Sequence, residues 1–198
     1  MLTKLKQSVQ SYLGSTAALF HRMGLSPNHI SIIGLILALL SAVTYWQWHI
    51  HPLFLILAPV LMLVSGLFDA LDGAIARIYG EGTTFGGFFD SILDRYADST
   101  ILCGIILGGL TQPAWGIAAL LGSLLVSYAR SRAEAAGVKM ESVGLAERAE
   151  RIVLIATVSF LSYFWLDALN WGILLLAILA NLTVIQRANY FRKALNQK

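Results

Sequence analysis

Long apolar runs alternate with short polar segments along the chain, and their lengths predict a protein built from helices. Six runs each approach the ~20 apolar residues that a membrane-spanning helix needs. Their predicted bounds are 28–48, 52–78, 87–110, 113–136, 143–164 and 168–191. The pattern therefore predicts an all-α, polytopic membrane protein with six transmembrane helices.

The segment before the first apolar run has a different pattern. Across 3–23, apolar residues recur at roughly helical spacing between basic residues such as Lys4 and Arg22. This is typical of an amphipathic helix on a membrane surface, and equally of a packed or solvated lead-in helix. Ser26 and Pro27 follow, a pair that suits the cap and the first residue of the next helix.

Composition agrees with a membrane protein. Of the 198 residues, 57% are hydrophobic and 13% are charged, whereas soluble domains have about 45–50% apolar and about 25% charged residues. No separate segment of domain size is polar enough to form a soluble unit. We therefore expect one membrane domain over 1–198, with a juxtamembrane helix at 3–23 and a six-helix bundle at 28–191. The single Cys103 excludes a disulfide within the chain.

Basic residues are distributed unevenly between the predicted loops. The loops near 49–52, 111–114 and 165–170 contain no Lys or Arg, and all fourteen basic residues fall at or near the opposite side. Loops rich in Lys and Arg stay in the cytoplasm. The distribution predicts an even number of spans in the cell membrane, with both termini on the cytoplasmic side.

Four carboxylates interrupt the apolar pattern at the end of the second run and the start of the third. Asp69 and Asp72 are three residues apart, and Asp90 and Asp94 are four apart, so each pair shares one helix face. A turn at 79–84 would bring the two pairs together at the cytoplasmic side. Four such charges repel unless a counter-charge is present. Mg²⁺ is commonly held by carboxylates together with substrate phosphates, so the hairpin is a candidate metal site.

Small and basic residues accompany these carboxylates. Gly73, Ala76 and Gly86 would leave room for the phosphates of a ligand, and Arg77 and Arg95 would neutralise part of the charge. The alternative is that the carboxylates merely end two spans. Regular spacing of four carboxylates, with glycines between them, disfavours that alternative.

The hairpin resembles the signature of the CDP-alcohol phosphotransferase family at every fixed position. The matching residues read Asp69-x2-Asp72-Gly73-x2-Ala76-Arg77-x8-Gly86-x3-Asp90-x3-Asp94. Enzymes of that family take a CDP-linked lipid, release CMP and join the lipid phosphate to an alcohol. The resemblance extends over the whole chain and also implies a homodimer.

The same resemblance implies roles for individual residues. Asp69, Asp72 and Asp90 would bind two divalent ions, Mg²⁺ or Mn²⁺. Asp94 would complete the metal site and act as the general base on the acceptor hydroxyl. The CDP group would be contacted by four residues of the hairpin, Gly73, Ala76, Arg77 and Gly86.

A dense basic segment between the fourth and fifth runs bears on the acceptor. Its cationic residues are Arg130, Arg132, Lys139, Arg148 and Arg151. Arginine forks match phosphate oxygens, so this charge favours a phosphorylated acceptor over a neutral one such as choline or serine. The alternative is a positive loop with an exposed Glu147–Arg151 pair, worth a few tenths of a kcal/mol.

The segments 128–137 and 144–153 are similar to the inositol-phosphate branch of the family. That resemblance implies that Arg130, Arg151 and Arg187, with Arg148 beside them, hold the phosphate of inositol 1-phosphate. The donor would be CDP-archaeol or CDP-diacylglycerol. The expected partners are thus the CDP-lipid, inositol phosphate and the bilayer, with no nucleic acid.

Three other functions stay open from the sequence. Glycerol 3-phosphate is also anionic and is an alternative acceptor for the same reaction. A divalent-cation transporter would use carboxylates as an ion path, although transporters usually bind their ions near the membrane midplane. A purely structural membrane protein would leave the spacing of the carboxylates unexplained.

Overall fold

Helices form the regular secondary structure of residues 14–140 and 143–196, the part of the chain that the computed structural model describes. Residues 14–22 are helical (α1). The helices that follow are α2 Pro27–Trp46, α3 Phe54–Tyr79, α4 Thr84–Leu107, α5 Pro113–Ala135, α6 Arg148–Ser162 and α7 Asp167–Leu195. A 3₁₀ turn, Trp48–Ile50, lies between α2 and α3. The predicted all-α class is therefore confirmed.

The predicted N-terminal helix at 3–23 is described only in part. Residues 3–13 lie outside the described residues, so its amphipathic surface character stays a prediction. The start of α2 is as predicted, because Ser26 is its N-cap and Pro27 its first residue.

Within residues 14–140 and 143–196, three helices are long and apolar enough to cross a membrane: α2, α3 and α7. Large apolar side chains on their outer faces are exposed, for example Ile36 and Ile178 at 50% each. Lipid solvates such side chains, so the exposed faces are consistent with a membrane protein.

The predicted start of the fifth run at residue 143 is wrong. Residues 143–147 form a loop, and α6 begins only at Arg148 and has 15 residues. At ~1.5 Å per residue such a helix is about 22 Å long, less than the ~30 Å hydrocarbon core. Hydrophobic periodicity does not indicate where α6 begins, because hydrogen bonds from the preceding loop to Thr183 of α7 determine this boundary.

Helix α2 is packed against both α3 and α4 and so sets the position of the two carboxylate pairs. At Gly104 of α4 a Cβ atom would overlap the backbone of Ala42, so the two helix backbones are in close contact. On α3, Ala58 accepts a hydrogen bond from Ser41 of α2 at 2.7 Å. The apolar core around Tyr45 links this group to α6, whose Ser159 hydroxyl lies 2.7 Å from the Tyr45 hydroxyl.

The hairpin between α3 and α4 has the predicted turn. Gly80 ends α3 in a left-handed conformation with φ of 68°, which glycine adopts without a steric cost. Thr83 caps α4, and its hydroxyl accepts a hydrogen bond from the Gly86 backbone N–H at 2.9 Å. The turn therefore reverses the chain between the two carboxylate pairs.

Candidate active site and metal centre

Three of the predicted metal ligands meet where α3 and α4 converge. Asp69, Asp72 and Asp90 each offer one carboxylate oxygen, and these oxygens lie within 4.8 Å of one another. Asp72 is buried and the other two are half-buried. Hard oxygen ligands of this kind suit Mg²⁺ or Mn²⁺, so the residues present fit a divalent ion.

Asp94 lies beside these three carboxylates and is paired with arginines. Its Oδ1 lies 2.9 Å from Arg148 Nη1, and its Oδ2 lies 3.5 Å from Arg95 Nη1. Arg148 Nη1 also lies 2.6 Å from Asp69 Oδ2. The sequence predicted Arg148 at the acceptor side only, whereas the structure places it between the carboxylates and the acceptor side.

Asp98 is a further carboxylate of the site to which the resemblance did not point. It lies one helical turn after Asp94, and its two oxygens contact Arg148 Nε at 3.2 Å and Arg151 Nη2 at 3.0 Å. Continuing the four-residue spacing from Asp90 to Asp94 by one more step would have found it. Arg151 is thus paired with Asp98 and not with Glu147, the exposed pairing that the sequence left open.

The four predicted acceptor arginines line one cavity of about 260 Å³. These arginines are Arg130, Arg148, Arg151 and Arg187. Carboxylates and residues of α5 form the other walls of the cavity. Arg151 and Arg187 are buried, with 4% and 3% of their surface exposed. Arg130 lies nearer the surface, where its Nε is 2.8 Å from Glu134 Oε1. Arg95 lines the cavity as well, so five guanidinium groups face the four carboxylates of Asp94, Asp98, Glu147 and Glu150.

Arg187 joins three parts of the chain around this cavity. Its Nε donates to the Val143 carbonyl at 2.8 Å and its Nη1 to the Val126 carbonyl at 2.7 Å. Its Nη2 lies 3.3 Å from Glu147 Oε1. With most of its donors used in this way, the guanidinium is fixed in place before any acceptor arrives.

Thr183 holds the 143–147 loop against α7. Its hydroxyl oxygen accepts from the backbone N–H groups of Leu145 at 3.2 Å and Ala146 at 3.0 Å. Gly144 has φ of 117°, a conformation that favours glycine, and it contacts the same threonine side chain. This loop leads directly into Arg148 and Arg151, so α7 determines where both guanidinium groups lie.

A second cavity, of about 170 Å³, borders Asp72 and Asp90. Three of the predicted CDP-contacting residues line it, Gly73, Ala76 and Gly86, together with Asp72 and Asp90. Arg77 is exposed and is not among the lining residues; its Nη1 lies beside Gly73, 3.1 Å from where a Cβ atom would be.

Gly86 is in a confined position within this second cavity. A Cβ atom there would lie 3.0 Å from Thr83 Oγ1 and 3.3 Å from Asn28 Oδ1. Both side chains line the cavity as well, and the sequence predicted neither as a ligand contact. A glycine therefore keeps backbone and polar groups accessible on this wall.

Ser31 of α2 completes the carboxylate cluster. Its hydroxyl donates to Asp72 Oδ2 at 2.5 Å. Ser31 lines the second cavity and also a small cavity bordered by Asp69, Asp72, Asp90 and Asp94, here called the carboxylate cavity. The sequence did not point to it, because a serine inside an apolar run has no periodic signal. The site as a whole thus places one cavity beside Asp72 and Asp90 and another beside Asp94 and Asp98.

Comparisons with known proteins agree with this arrangement. The CDP-alcohol phosphatidyltransferase family profile matches residues 24–185. The archaetidylinositol phosphate synthase of Pyrococcus horikoshii is 39% identical over 195 residues, covering 98% of both chains. The phosphatidylinositol phosphate synthase of Mycobacterium tuberculosis is 34% identical over 184 residues, 84% of this chain and 79% of that protein.

Solved structures of the Mycobacterium tuberculosis phosphatidylinositol phosphate synthase are similar over most of their length. The crystal structure with CDP-DAG bound has a TM-score of 0.79 and 30% identity, covering 90% of this chain and 92% of that chain. The complex with manganese and citrate has a TM-score of 0.78 and 31% identity, covering 90% and 88%.

Proposed function

This chain belongs to the CDP-alcohol phosphatidyltransferase family, and we propose that it transfers the lipid phosphate of a CDP-lipid to inositol 1-phosphate, releasing CMP. The observation that carries the proposal is the cavity that Asp94 lines together with Arg95 and the four predicted acceptor arginines. A neutral acceptor alcohol would not require two buried guanidinium groups, whereas an acceptor phosphate would bind them through paired hydrogen bonds. The names of the archaeal and mycobacterial relatives support the same acceptor.

The CDP group of the donor is proposed to bind in the second cavity, beside Asp72 and Asp90. Gly73, Ala76 and Gly86 would line its site, and Arg77 at the rim would add a positive charge near the phosphates. The relative crystallised with CDP-DAG supports a CDP-lipid donor. Both CDP-archaeol and CDP-diacylglycerol have this head group, so the assay below includes both lipids.

Asp69, Asp72 and Asp90 are proposed to hold two divalent ions, Mg²⁺ or Mn²⁺, with Asp94 next to them. When bound, such ions supply positive charge to the diphosphate oxygens and to the departing CMP. The relative solved with manganese supports this choice of metal.

Asp94 is proposed as the general base. The acceptor hydroxyl attacks the phosphorus that bears the lipid, a new O–P bond forms, and the bond to the CMP oxygen breaks. The hydroxyl proton passes to the Asp94 carboxylate, which lines the acceptor cavity and also borders Asp69, Asp72 and Asp90. Arg148, 2.9 Å from Asp94 Oδ1, orients that carboxylate toward the acceptor side.

The membrane topology is proposed to have six spans, with both termini and the site on the cytoplasmic side. The absence of Lys and Arg from the loops near 49–52, 111–114 and 165–170 supports this orientation. Helices α4, α5 and α6 would then supply the three spans beyond α2, α3 and α7, with local thinning of the bilayer around α6, whose 15 residues are shorter than the hydrocarbon core. The proposal includes one domain over 1–198 and a homodimer, the latter from the family resemblance.

A CMP-release assay on the purified full chain tests the reaction. CDP-archaeol and CDP-diacylglycerol are each combined with inositol 1-phosphate, inositol, glycerol 3-phosphate or serine, and radiolabelled CMP is counted. We expect release with inositol 1-phosphate at a rate at least tenfold above the other acceptors. Preference for glycerol 3-phosphate would establish the alternative acceptor. Absence of CMP release with every acceptor, together with divalent-ion uptake into vesicles that contain the protein, would indicate a transporter.

A further inference from the structure

Helix α2 contributes no carboxylate to the site, yet its Ser31 side chain contacts Asp72, the most buried of the three candidate metal ligands. The Ser31 hydroxyl lies 2.5 Å from Asp72 Oδ2, and the two residues are 6% and 5% exposed. The Pro27 carbonyl lies 3.1 Å from the same hydroxyl. A hydroxyl has a single proton, and an ionised carboxylate is a stronger acceptor than a carbonyl, so the proton is directed to Asp72.

Two other buried serines tie α2 to α3, but they bond to backbone carbonyls. Ser41 donates to Ala58 O at 2.7 Å, and Ser65 of α3 donates to Gly34 O at 2.8 Å. Ser31 is different because its partner is a carboxylate of the candidate metal centre. Ser41 and Ser65 thus already link the two helices, whereas the Ser31 bond acts on a carboxylate of the site.

That consequence is the orientation of Asp72. One of its oxygens is held by Ser31, so the carboxylate cannot rotate freely and its other oxygen is left for a ligand. Ser31 also lies on the wall of both the carboxylate cavity and the CDP-side cavity. Groups that hold a metal ligand in this way typically change metal affinity about 10–100-fold when they are removed.

We propose that Ser31 is a positioning residue of the metal centre, whose hydroxyl fixes the Asp72 carboxylate for binding a divalent cation together with Asp69 and Asp90. It acts through Asp72 and does not touch the reacting atoms. The inference rests on the proposed function only in assigning Asp69, Asp72 and Asp90 as metal ligands.

The test measures Mn²⁺ binding to the purified full chain without substrates, by the EPR signal of free Mn²⁺. We expect Ser31→Ala to weaken Mn²⁺ binding about 10–100-fold. The matched control is Ser41→Ala, which removes a buried hydroxyl from the same helix and should change Mn²⁺ binding less than twofold. Ser31→Thr keeps the hydroxyl and should retain affinity within about threefold. Ser31→Cys keeps the volume with a weaker donor, and should fall between the alanine variant and the parent.

A second readout separates positioning from a packing defect. The turnover of Ser31→Ala should recover toward the parent value as Mn²⁺ is raised, because the defect lies in metal affinity. Ser31→Ala that binds Mn²⁺ as tightly as the parent would overturn the inference, and so would an equal loss in Ser41→Ala. If Ser31→Ala does not fold, Ser31→Cys decides the question by the same comparison.

The outcomes also separate this inference from the proposed reaction. A parent protein that binds Mn²⁺ but releases no CMP would reject the proposed reaction and leave the role of Ser31 standing. A parent protein that does not bind Mn²⁺ would overturn the metal centre and this inference with it.

Discussion

Gly144→Ala tests whether the 143–147 loop places the acceptor arginines. Gly144 has φ of 117°, outside the regions that alanine adopts readily. A methyl group there would overlap Thr183 Cγ2 and lie 3.3 Å from Thr183 Cβ. The substitution therefore acts on the loop in two ways, through backbone strain and through a steric clash with α7.

The size of the effect follows from these contacts. Carbon atoms in contact lie ~3.5–4.0 Å apart, so the loop must move away from Thr183 by on the order of 1 Å. The bond from the Ala146 N–H to the Thr183 hydroxyl, now 3.0 Å, would lengthen beyond hydrogen-bonding distance. The companion bond from Leu145, at 3.2 Å, would be lost as well.

The energetic cost can be estimated from those changes. Two lost hydrogen bonds cost ~1 kcal/mol each, and the strained backbone adds ~1–3 kcal/mol. Movement of the loop relieves part of this cost and displaces Arg148 and Arg151, which lie in the first turn of the helix that follows the loop. A displacement of ~1 Å in a positioning group lowers the rate up to about 100-fold. We therefore expect kcat/KM for the phosphorylated acceptor to fall about 10–100-fold.

The assay measures CMP release while the acceptor and the CDP-lipid are varied separately. The acceptor KM should rise in Gly144→Ala, while the CDP-lipid KM changes less than about threefold. Gly109→Ala is the matched control, since Gly109 has φ of 68° in the α4–α5 turn with nothing within 4 Å of its Cβ position. It should lose ~1 kcal/mol of stability and keep the parent kinetics. Normal acceptor kinetics in Gly144→Ala, or equal kinetic losses in both variants, would refute the argument.

Three further predictions concern the reacting groups. Asp94→Asn should bind CDP-lipid in a metal-dependent manner but lose turnover at least 100-fold, because an amide cannot take the proton; turnover like that of the control Asp167→Asn would reject the base. Arg151→Ala should raise the acceptor KM about tenfold or more, since a charged hydrogen bond contributes ~1.5–3 kcal/mol. An equal rise in the CDP-lipid KM would exclude a dedicated phosphate pocket, and the exposed Arg22→Ala serves as control. EDTA should abolish CMP release, with recovery on adding Mg²⁺ or Mn²⁺; release that persists in the chelator would exclude the metal centre.

The helical architecture and the carboxylate cluster were predictable because both depend on local periodicity. Asp69 and Asp72 share a face through their three-residue spacing, whatever else the chain does. Glycine and threonine residues in the 79–84 turn favour a reversal there, so a hairpin predicts that Asp90 comes near them. The structure confirms this convergence within 4.8 Å.

The partners of the arginines were not predictable from spacing. Glu147 and Arg151 are four residues apart, which suggests a local pair, yet Arg151 binds Asp98 and Glu147 binds Arg187. These contacts join residues 40 or more positions apart, and only the packing of α4, α6 and α7 brings them together. Local pairs on an exposed helix face contribute little free energy, so tertiary contacts easily replace them.

The sequence by itself determined the helical class, the carboxylate hairpin and the basic character of the acceptor segment, because hydrophobic periodicity, turn residues and charge are local properties. Only the tertiary structure decided that α6 begins at Arg148, that α7 holds the preceding loop, and that Ser31 holds Asp72. Each of these depends on a hydrogen bond between parts of the chain that are far apart in sequence. A lone serine, threonine or arginine in the sequence does not indicate which distant group it will bind.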